Sequence, residues 1–372
     1  MERYTEQDVL QLAKRINNTK RSYLLVDPLQ GKHVPVSPDK TYRLAYSHGE
    51  ILYENAKNAE IVIGFAETAT AIAAVASLAF PENVRYLHTT REKLTSAHIV
   101  SFLEEHSHAV DQQIDCTVIA ESNPQTIVMI DDEISTGRTI ENIVTQLRIR
   151  FPHLQKTRFV IGSVINRMKD EIRERMRLEN IEFVSLVSVA DRDFEAAAKA
   201  MEVFSAKKCT SFSSDYQEIM LSASVPDLRK AVSVKEWKDR MSVFSKAVFD
   251  AFKECDLLHG RLLFLGTEEC MTPAILAGRF IENECRDTAV FTHAATRSPI
   301  GISTAEHYPC QNGFRIHSFY EAERVNYLYN IQDYDTVAVI TDSRDRQQTE
   351  KAMTELCGIF RPHCNNIFLI RG

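Results

Sequence analysis

Several things are scarce in this chain of 372 residues, and each scarcity excludes a class of protein. Its eight cysteines are scattered, with no CxxC pair and no Cys/His spacing of a zinc site. They read as reduced thiols of a cytosolic protein, not as a disulfide framework. Long apolar runs are missing too. The most apolar segment, Thr68 to Phe80, is Ala-rich and too short to cross a bilayer, so it is expected as a buried helix. The opening MERYTEQDVL has acids among its first residues and no apolar core, unlike a signal peptide. Positive charge is in deficit: the net charge of −7 and pI near 6.0 argue against a general binder of nucleic acid or membrane surfaces. What remains, 44% hydrophobic and 26% charged, is ordinary for a soluble chain long enough for two cores.

The chain is organised around Thr126–Val144, TIVMIDDEISTGRTIENIV. The apolar run Ile127–Ile130 predicts a strand buried on both faces, as in a parallel sheet. It meets two carboxylates, Asp131 and Asp132, where open α/β sheets bind ligands. Then come Ser135, Thr136, Gly137, Arg138 and Thr139, and a helix with Ile140, Ile143, Val144 and Leu147 on one face. Gly137 permits a tight turn that gathers backbone N–H groups, and the helix N-terminus adds more, which together suit a phosphate monoester. The dipole contributes only about 0.3–1 kcal/mol, so hydroxyls and loop amides must supply the rest. Two acids beside a phosphate cradle, able to accept from vicinal hydroxyls, describe a site for ribose 5-phosphate. Glu133 adds a third negative charge, which calls for a cation or a nearby base.

This stretch resembles the PRPP-binding motif of type I phosphoribosyltransferases. Two further strand–loop units extend the resemblance. Ile61–Ile63 ends in Gly64-Phe65-Ala66-Glu67-Thr68, where the family binds pyrophosphate through loop amides; Glu67 is unusual there unless it works through Mg²⁺ or orients Arg91. Val84–Leu87 leads to Arg91 and Lys93, which match in type and spacing the basic cluster of orotate phosphoribosyltransferases. Polar residues from Leu94 to Gln113 stand where these enzymes place a mobile lid. Within them His106 and His108 are candidate acid or base groups for an acceptor, and a solvated loop is the plainer alternative.

Elsewhere a short helix is expected over Glu6–Ile16, a strand at Tyr23–Val26 opening the parallel sheet, and a helix over Tyr42–Lys57. Gly31–Pro38 excludes regular structure; its Lys32 and His33 suit either an anion or acceptor contact or a solvated connection. Phe159–Val164 and Phe183–Val187 read as later strands, with a last helix over Ala190–Phe204.

The second half repeats the order of parts. Leu262–Leu265 ends in Gly266-Thr267-Glu268-Glu269, Ala289–Thr292 leads to Thr296-Arg297-Ser298, and Thr336–Ile340 ends in Thr341-Asp342. Either a diverged repeat or the generic form of two α/β domains accounts for this. No Gly-bearing loop follows Asp342, so PRPP binding is not expected there, although Glu268, Glu269, Arg297 and Ser298 can line a pocket. The run Thr296-Arg297-Ser298-Pro299 resembles the signature of a phosphoribosyltransferase-like family whose C-terminal domain is named TRSP after it. That family accompanies predicted biosynthetic genes of bacterial tellurium-resistance clusters.

The resemblance implies an α/β fold: a type I phosphoribosyltransferase-like parallel sheet over 1–206, a linker over 207–232 and a second α/β domain over 233–372. It implies PRPP on Ser135–Thr139 and Gly64–Thr68, with Asp131 and Asp132 holding the ribose and, through PRPP and water, Mg²⁺. A small-molecule acceptor and a cytoplasmic homodimer complete the expectation. Two rivals are a PRPP- or nucleotide-sensing protein without catalysis, and a bifunctional enzyme whose C-terminal domain acts on the phosphoribosyl product.

Overall fold

The computed structural model describes the chain except residues 1, 17, 19, 20, 103–111 and 191. Apolar runs become parallel strands wherever both of their faces are covered. Ile61, Val62 and Ile63 are buried, as are Ile127 to Ile130, and they lie in adjacent strands.

Two compact units interleave along the sequence. The first comprises Met1–Glu6, Arg43–Asp191 and Pro226–Asp239; the second Gln7–Tyr42, Arg192–Val225 and Arg240–Gly372. The expected division at 206 and 233 follows chain order, whereas the compact units trade segments. The stretch 207–232, expected as a linker, supplies strands Lys207–Lys208, Gln217–Met220 and the start of Val232–Ser233.

In the first unit four core strands run in chain order as Ile61–Gly64, Arg85–His88, Thr126–Ile134 and Arg158–Asn166. In space they lie second, first, third, fourth, all parallel. Ile181–Ser188 extends the sheet beyond the fourth strand, and Val232–Ser233 pairs antiparallel with the second. Helix Thr70–Ser77 follows the first strand and is buried throughout, as its Ala-rich sequence predicts. Helix Arg138–Arg150 follows the third and buries Ile140, Ile143, Val144 and Leu147. Trp237 is fully buried and donates to Ser77 Oγ at 3.2 Å.

The described residues on either side of 103–111, in the segment expected as a lid, pair with each other. Ile99–Phe102 pairs antiparallel with Gln112–Asp115 and buries Val100, Phe102 and Ile114 in the core. His106 and His108 lie outside the described residues.

The second unit has its own four core strands: Arg261–Gly266, Ala289–Ala294, Tyr334–Ile340 and Cys364–Arg371. They too lie second, first, third, fourth, all parallel, with Gln217–Met220 added at the far edge. Between the second and third strands comes a hairpin, Gly313–His317 with Val325–Tyr329. The first unit has its hairpin at the same place in the order.

Three expectations for the flanks are corrected. The helix foreseen over Glu6–Ile16 ends at Val9, and Gln11–Lys14 instead pairs antiparallel with Tyr23–Val26. That pairing is a tertiary choice that overrides a short helical pattern, and it places Tyr23–Val26 in the second unit, so the parallel sheet opens at Ile61. The helix foreseen over Ala190–Phe204 is confined to Phe194–Lys199, started by the Asp193 carboxylate, which accepts from Ala196 N at 2.8 Å. It packs within the second unit, where Phe194 stacks on Tyr23. Lys32 and His33 are not solvated; both are buried, and Lys32 Nζ donates to the Glu268 carbonyl at 2.8 Å.

Candidate functional site

At the C-terminal edge of the first unit's sheet three loops converge because their strands are neighbours. Phe65 N–H donates to Ile130 O at 2.9 Å, which pins the Gly64–Thr68 loop to the residue just before Asp131. Thr89 N–H donates to Gly64 O at 2.9 Å, joining the loop after the second strand. A cyclic set of bonds then locks the centre. Ala66 N–H donates to Thr89 Oγ1 at 2.8 Å, Thr89 Oγ1 to Gln112 Oε1 at 2.5 Å, and Gln112 Nε2 to Ala66 O at 2.6 Å. Phe65 meets Phe102 edge-on, so the hairpin base packs on the same loop. Gly64 is required by close approach: a Cβ there would sit 2.5 Å from Ala73 Cβ. The amides of Phe65 and Ala66 are thus committed within the chain, and Glu67 is buried beside them. The peptide between Ala66 and Glu67 is cis.

The acid pair ends the buried run. Asp131 Oδ1 accepts from Asp132 N at 2.9 Å. Burial pushes the Asp132 carboxyl above the usual carboxylate range; the Glu133 charge adds to this, while hydrogen bonds with Asp131 and Thr68 offset part of it. Glu133 meets the base its charge called for. Arg167 Nη1 lies 3.0 Å from Glu133 Oε1, with both side chains largely buried. Nothing in the local sequence marks Arg167 as that partner. It follows the fourth strand, which lies against the third.

Gly137 sits at φ +74° and forms the N-cap of Arg138–Arg150, so no side chain caps that helix. A Cβ at Gly137 would lie 2.9 Å from Met168 Cε. Ser135, Thr136 and Thr139 are half-buried around it and Arg138 is exposed. Thr136 Oγ1 accepts from Arg138 N at 3.3 Å. Arg91 is half-buried and Lys93 exposed on the loop after the second strand.

The arrangement can hold an anion at the uncapped helix and accept from hydroxyls at the acids. Among the described residues no group of three or more His, Cys, Asp or Glu is arranged to hold a metal. Two adjacent carboxylates still fit Mg²⁺, which takes one or two protein carboxylates and completes its shell with phosphate oxygens and water. No helix among the described residues is long and apolar enough to cross a membrane.

In the second unit the structure brings Glu268, Glu269 and Arg297 together. Glu268 is fully buried, and one of its oxygens accepts from Arg297 Nε at 3.0 Å and Arg324 Nη1 at 2.9 Å. The other accepts from Ser318 Oγ at 2.5 Å and Phe319 N at 3.3 Å. Arg297 Nη2 also lies 3.8 Å from Glu269. Ser298 contributes backbone contacts: its N–H donates to Thr296 Oγ1 and its carbonyl accepts from Tyr329 OH. Sequence reading missed Ser318 and Arg324, because only the hairpin carries them to Glu268.

A phosphoribosyl transferase family model matches residues 9–193, and the TRSP domain, described as C-terminal to that family, matches residues 234–357. A comparison with curated proteins finds no match. Among solved structures, the chain is similar to adenine phosphoribosyl transferase from Trypanosoma brucei, with 12% identity and a TM-score of 0.35 over 49% of this chain and 77% of that one. Orotate phosphoribosyltransferase from Aeropyrum pernix gives 19% identity and a TM-score of 0.31 over 50% and 89%. Adenine phosphoribosyltransferase from Thermoanaerobacter pseudethanolicus gives 14% and 0.33 over 49% and 97%.

Proposed function

Because the chain belongs to the phosphoribosyl transferases that carry a C-terminal TRSP domain, we propose that its first unit moves the phosphoribosyl group of PRPP to a small-molecule acceptor, releasing pyrophosphate and inverting C1. The observation that carries this reading is the acid pair, set between the pinned Gly64–Thr68 loop and the uncapped helix at Gly137. The 5-phosphate takes the cradle Ser135–Thr139, and the ribose hydroxyls donate to Asp131 and Asp132. Pyrophosphate lies toward Glu67, Thr68, Arg91 and Lys93, since the amides of Phe65 and Ala66 are already engaged.

As the C1 bond loosens, negative charge builds on pyrophosphate and positive charge on the sugar. Arg91 and Lys93 stabilise the first; the carboxylates lie on the side of the second. Holding both ends of PRPP contributes up to about 7–11 kcal/mol through positioning. Asp131 and Asp132 would hold Mg²⁺ through PRPP and water, and the ion would then neutralise charge on the leaving group. A cytoplasmic homodimer is part of the same proposal, and light scattering tests the dimer.

Incubation with PRPP, Mg²⁺ and a cell extract, followed by mass spectrometry, should reveal a new phosphoribosyl adduct and free pyrophosphate. Replacing both Asp131 and Asp132 by Asn should abolish turnover, a loss on the order of 10³-fold or more, with the circular dichroism of the fold unchanged. Full activity in that variant refutes the assignment.

A further inference from the structure

Strand register allows the two units to be matched residue by residue. Gly64 pairs with His88 on one side and Ile130 on the other; Gly266 pairs with Ala294 and Ile340. Asp132 therefore corresponds to Asp342, Thr89 to Ala295 and Arg91 to Arg297. In the hairpins, Thr90 bridges to Gln113 and Thr296 to Tyr327, so Gln112 corresponds to Asn326.

Each match carries a chemical difference. Gln112 spends its amide on Thr89 Oγ1 and Ala66 O. At the matching places the second unit has Ala295, which has no hydroxyl, and the Glu268 carbonyl, already taken by Lys32 Nζ. Asn326 is fully buried, and neither its Oδ1 nor its Nδ2 has a hydrogen-bond partner among the described residues. Leaving both atoms of a buried amide unpaired is destabilising, because each has given up its hydrogen bonds to water. By strand alternation it shares a face with Arg324, two residues earlier, which reaches Glu268. By register the orphaned amide stands where Gln112 stands beside the first unit's Gly64–Thr68 loop.

The phosphate cradle, in contrast, is closed. The connection from acid to helix is two positions shorter than in the first unit, and Asp345 caps Arg346–Phe360 by accepting from Gln348 N at 3.0 Å. A carboxylate stands where the first unit leaves amides for a phosphate. The second fixed carboxylate, Glu268, already occupies the two arginines. What survives is the acceptor Asp342, half-buried and held by Tyr320 OH at 2.5 Å.

We propose that the second unit binds a ribosyl compound without a 5-phosphate, a nucleoside in chemical class, with Asp342 accepting from sugar hydroxyls and the Asn326 amide pairing with the ligand's polar edge. The matching of Asp342 to Asp132 rests on the reading of the first site given above. The test uses the full chain with Asp131→Asn and Asp132→Asn, and with Gly137→Asp to put a carboxylate in the first cradle as Asp345 does in the second unit, so that the first site is silenced. It is titrated calorimetrically with ribose, adenosine and uridine, and with the two nucleoside 5′-monophosphates. At least one phosphate-free probe should bind, with its monophosphate at least tenfold weaker, and binding should slow amide exchange over Val325–Tyr329. Asp342→Asn and Asn326→Leu should each weaken it at least tenfold. If no phosphate-free probe binds, if the monophosphates bind as tightly, or if Asn326→Leu only raises the urea midpoint with binding intact, the site is refuted. The contrast between nucleoside and monophosphate needs no second-unit variant, so it decides even if those variants misfold. Failure of PRPP transfer in the native chain sinks the first reading separately.

Discussion

The first unit ends its third strand in two acids and then starts its helix at Gly137, an N-cap with no side chain; the second ends its third strand in one acid and caps the helix with its own carboxylate. Strand order, helix placement and the inserted hairpin are otherwise shared. On the function proposed above, the difference teaches that the scaffold alone confers no phosphate site. What decides is whether the chain fills the positive helix end with a side chain of its own or leaves it for a ligand. Charge is handled differently as well. The first unit sets the Arg167 guanidinium against its extra acid, Glu133, while the second places Arg297 and Arg324 around Glu268.

Breaking the Glu133–Arg167 pair should have the largest effect on stability. Arg167→Met removes the guanidinium from a largely buried carboxylate and should cost about 3–5 kcal/mol. Trp237, the only tryptophan, lies in the first unit, so its fluorescence in a urea titration reports that unit's midpoint. An unmoved midpoint would mean that the pair is dispensable.

Acid should next loosen both units alike, since burial holds His48 neutral in the first and His293 neutral in the second. Burial lowers His48 to about 4 in the first unit and His293 to about 4 in the second, from an ordinary 6.5. A base whose folded pKa is depressed gives its full stability above the unfolded pKa. That stability is lost as pH falls from 6.5 toward 4, by a few kcal/mol for each group. Urea midpoints by tryptophan fluorescence and by far-ultraviolet circular dichroism should both fall between pH 7 and pH 5. His48→Gln should flatten the fluorescence-detected dependence, and an equally steep one would count against His48 as its source.

Gly137→Ala should separate binding from folding. At φ +74° it forces a strained backbone costing about 1–2 kcal/mol, and its methyl meets Met168. We expect KM for PRPP to rise at least tenfold, while the matching position in the second unit, Asp345, behaves otherwise. Asp345→Ala should cost only about 1 kcal/mol as a lost cap and leave PRPP turnover unchanged. A fall in turnover there would mean that the second unit serves the first unit's chemistry.

Much of the first site was legible because its signals are local. An apolar run, two acids and a glycine-bearing loop are contiguous, and the buried face Ile140–Leu147 follows from helical spacing alone. The hidden part is everything delivered by pairing between distant segments. Gln112 reaches Ala66 across 46 positions, and Arg324 reaches Glu268 across 56. Polar hairpin residues carry no periodic mark of a partner. Lys32 looked like loop surface because nothing nearby in the sequence shows that Glu268 will offer it a carbonyl. The antiparallel pairing of Gln11–Lys14 was hidden for the same reason: four residues hold too little pattern to outvote a neighbour.

By itself, then, the sequence determined that strands end in acids and glycine loops, and where a bare helix start would lie, because backbone conformation and apolar spacing are short-range properties. Only the tertiary structure decided which unit each flank joins, which charges are neutralised, and that the Asn326 amide has no partner among the described residues. Those outcomes depend on burial and on partners supplied from far along the chain, and a buried polar group is satisfied or orphaned only once the fold has closed around it.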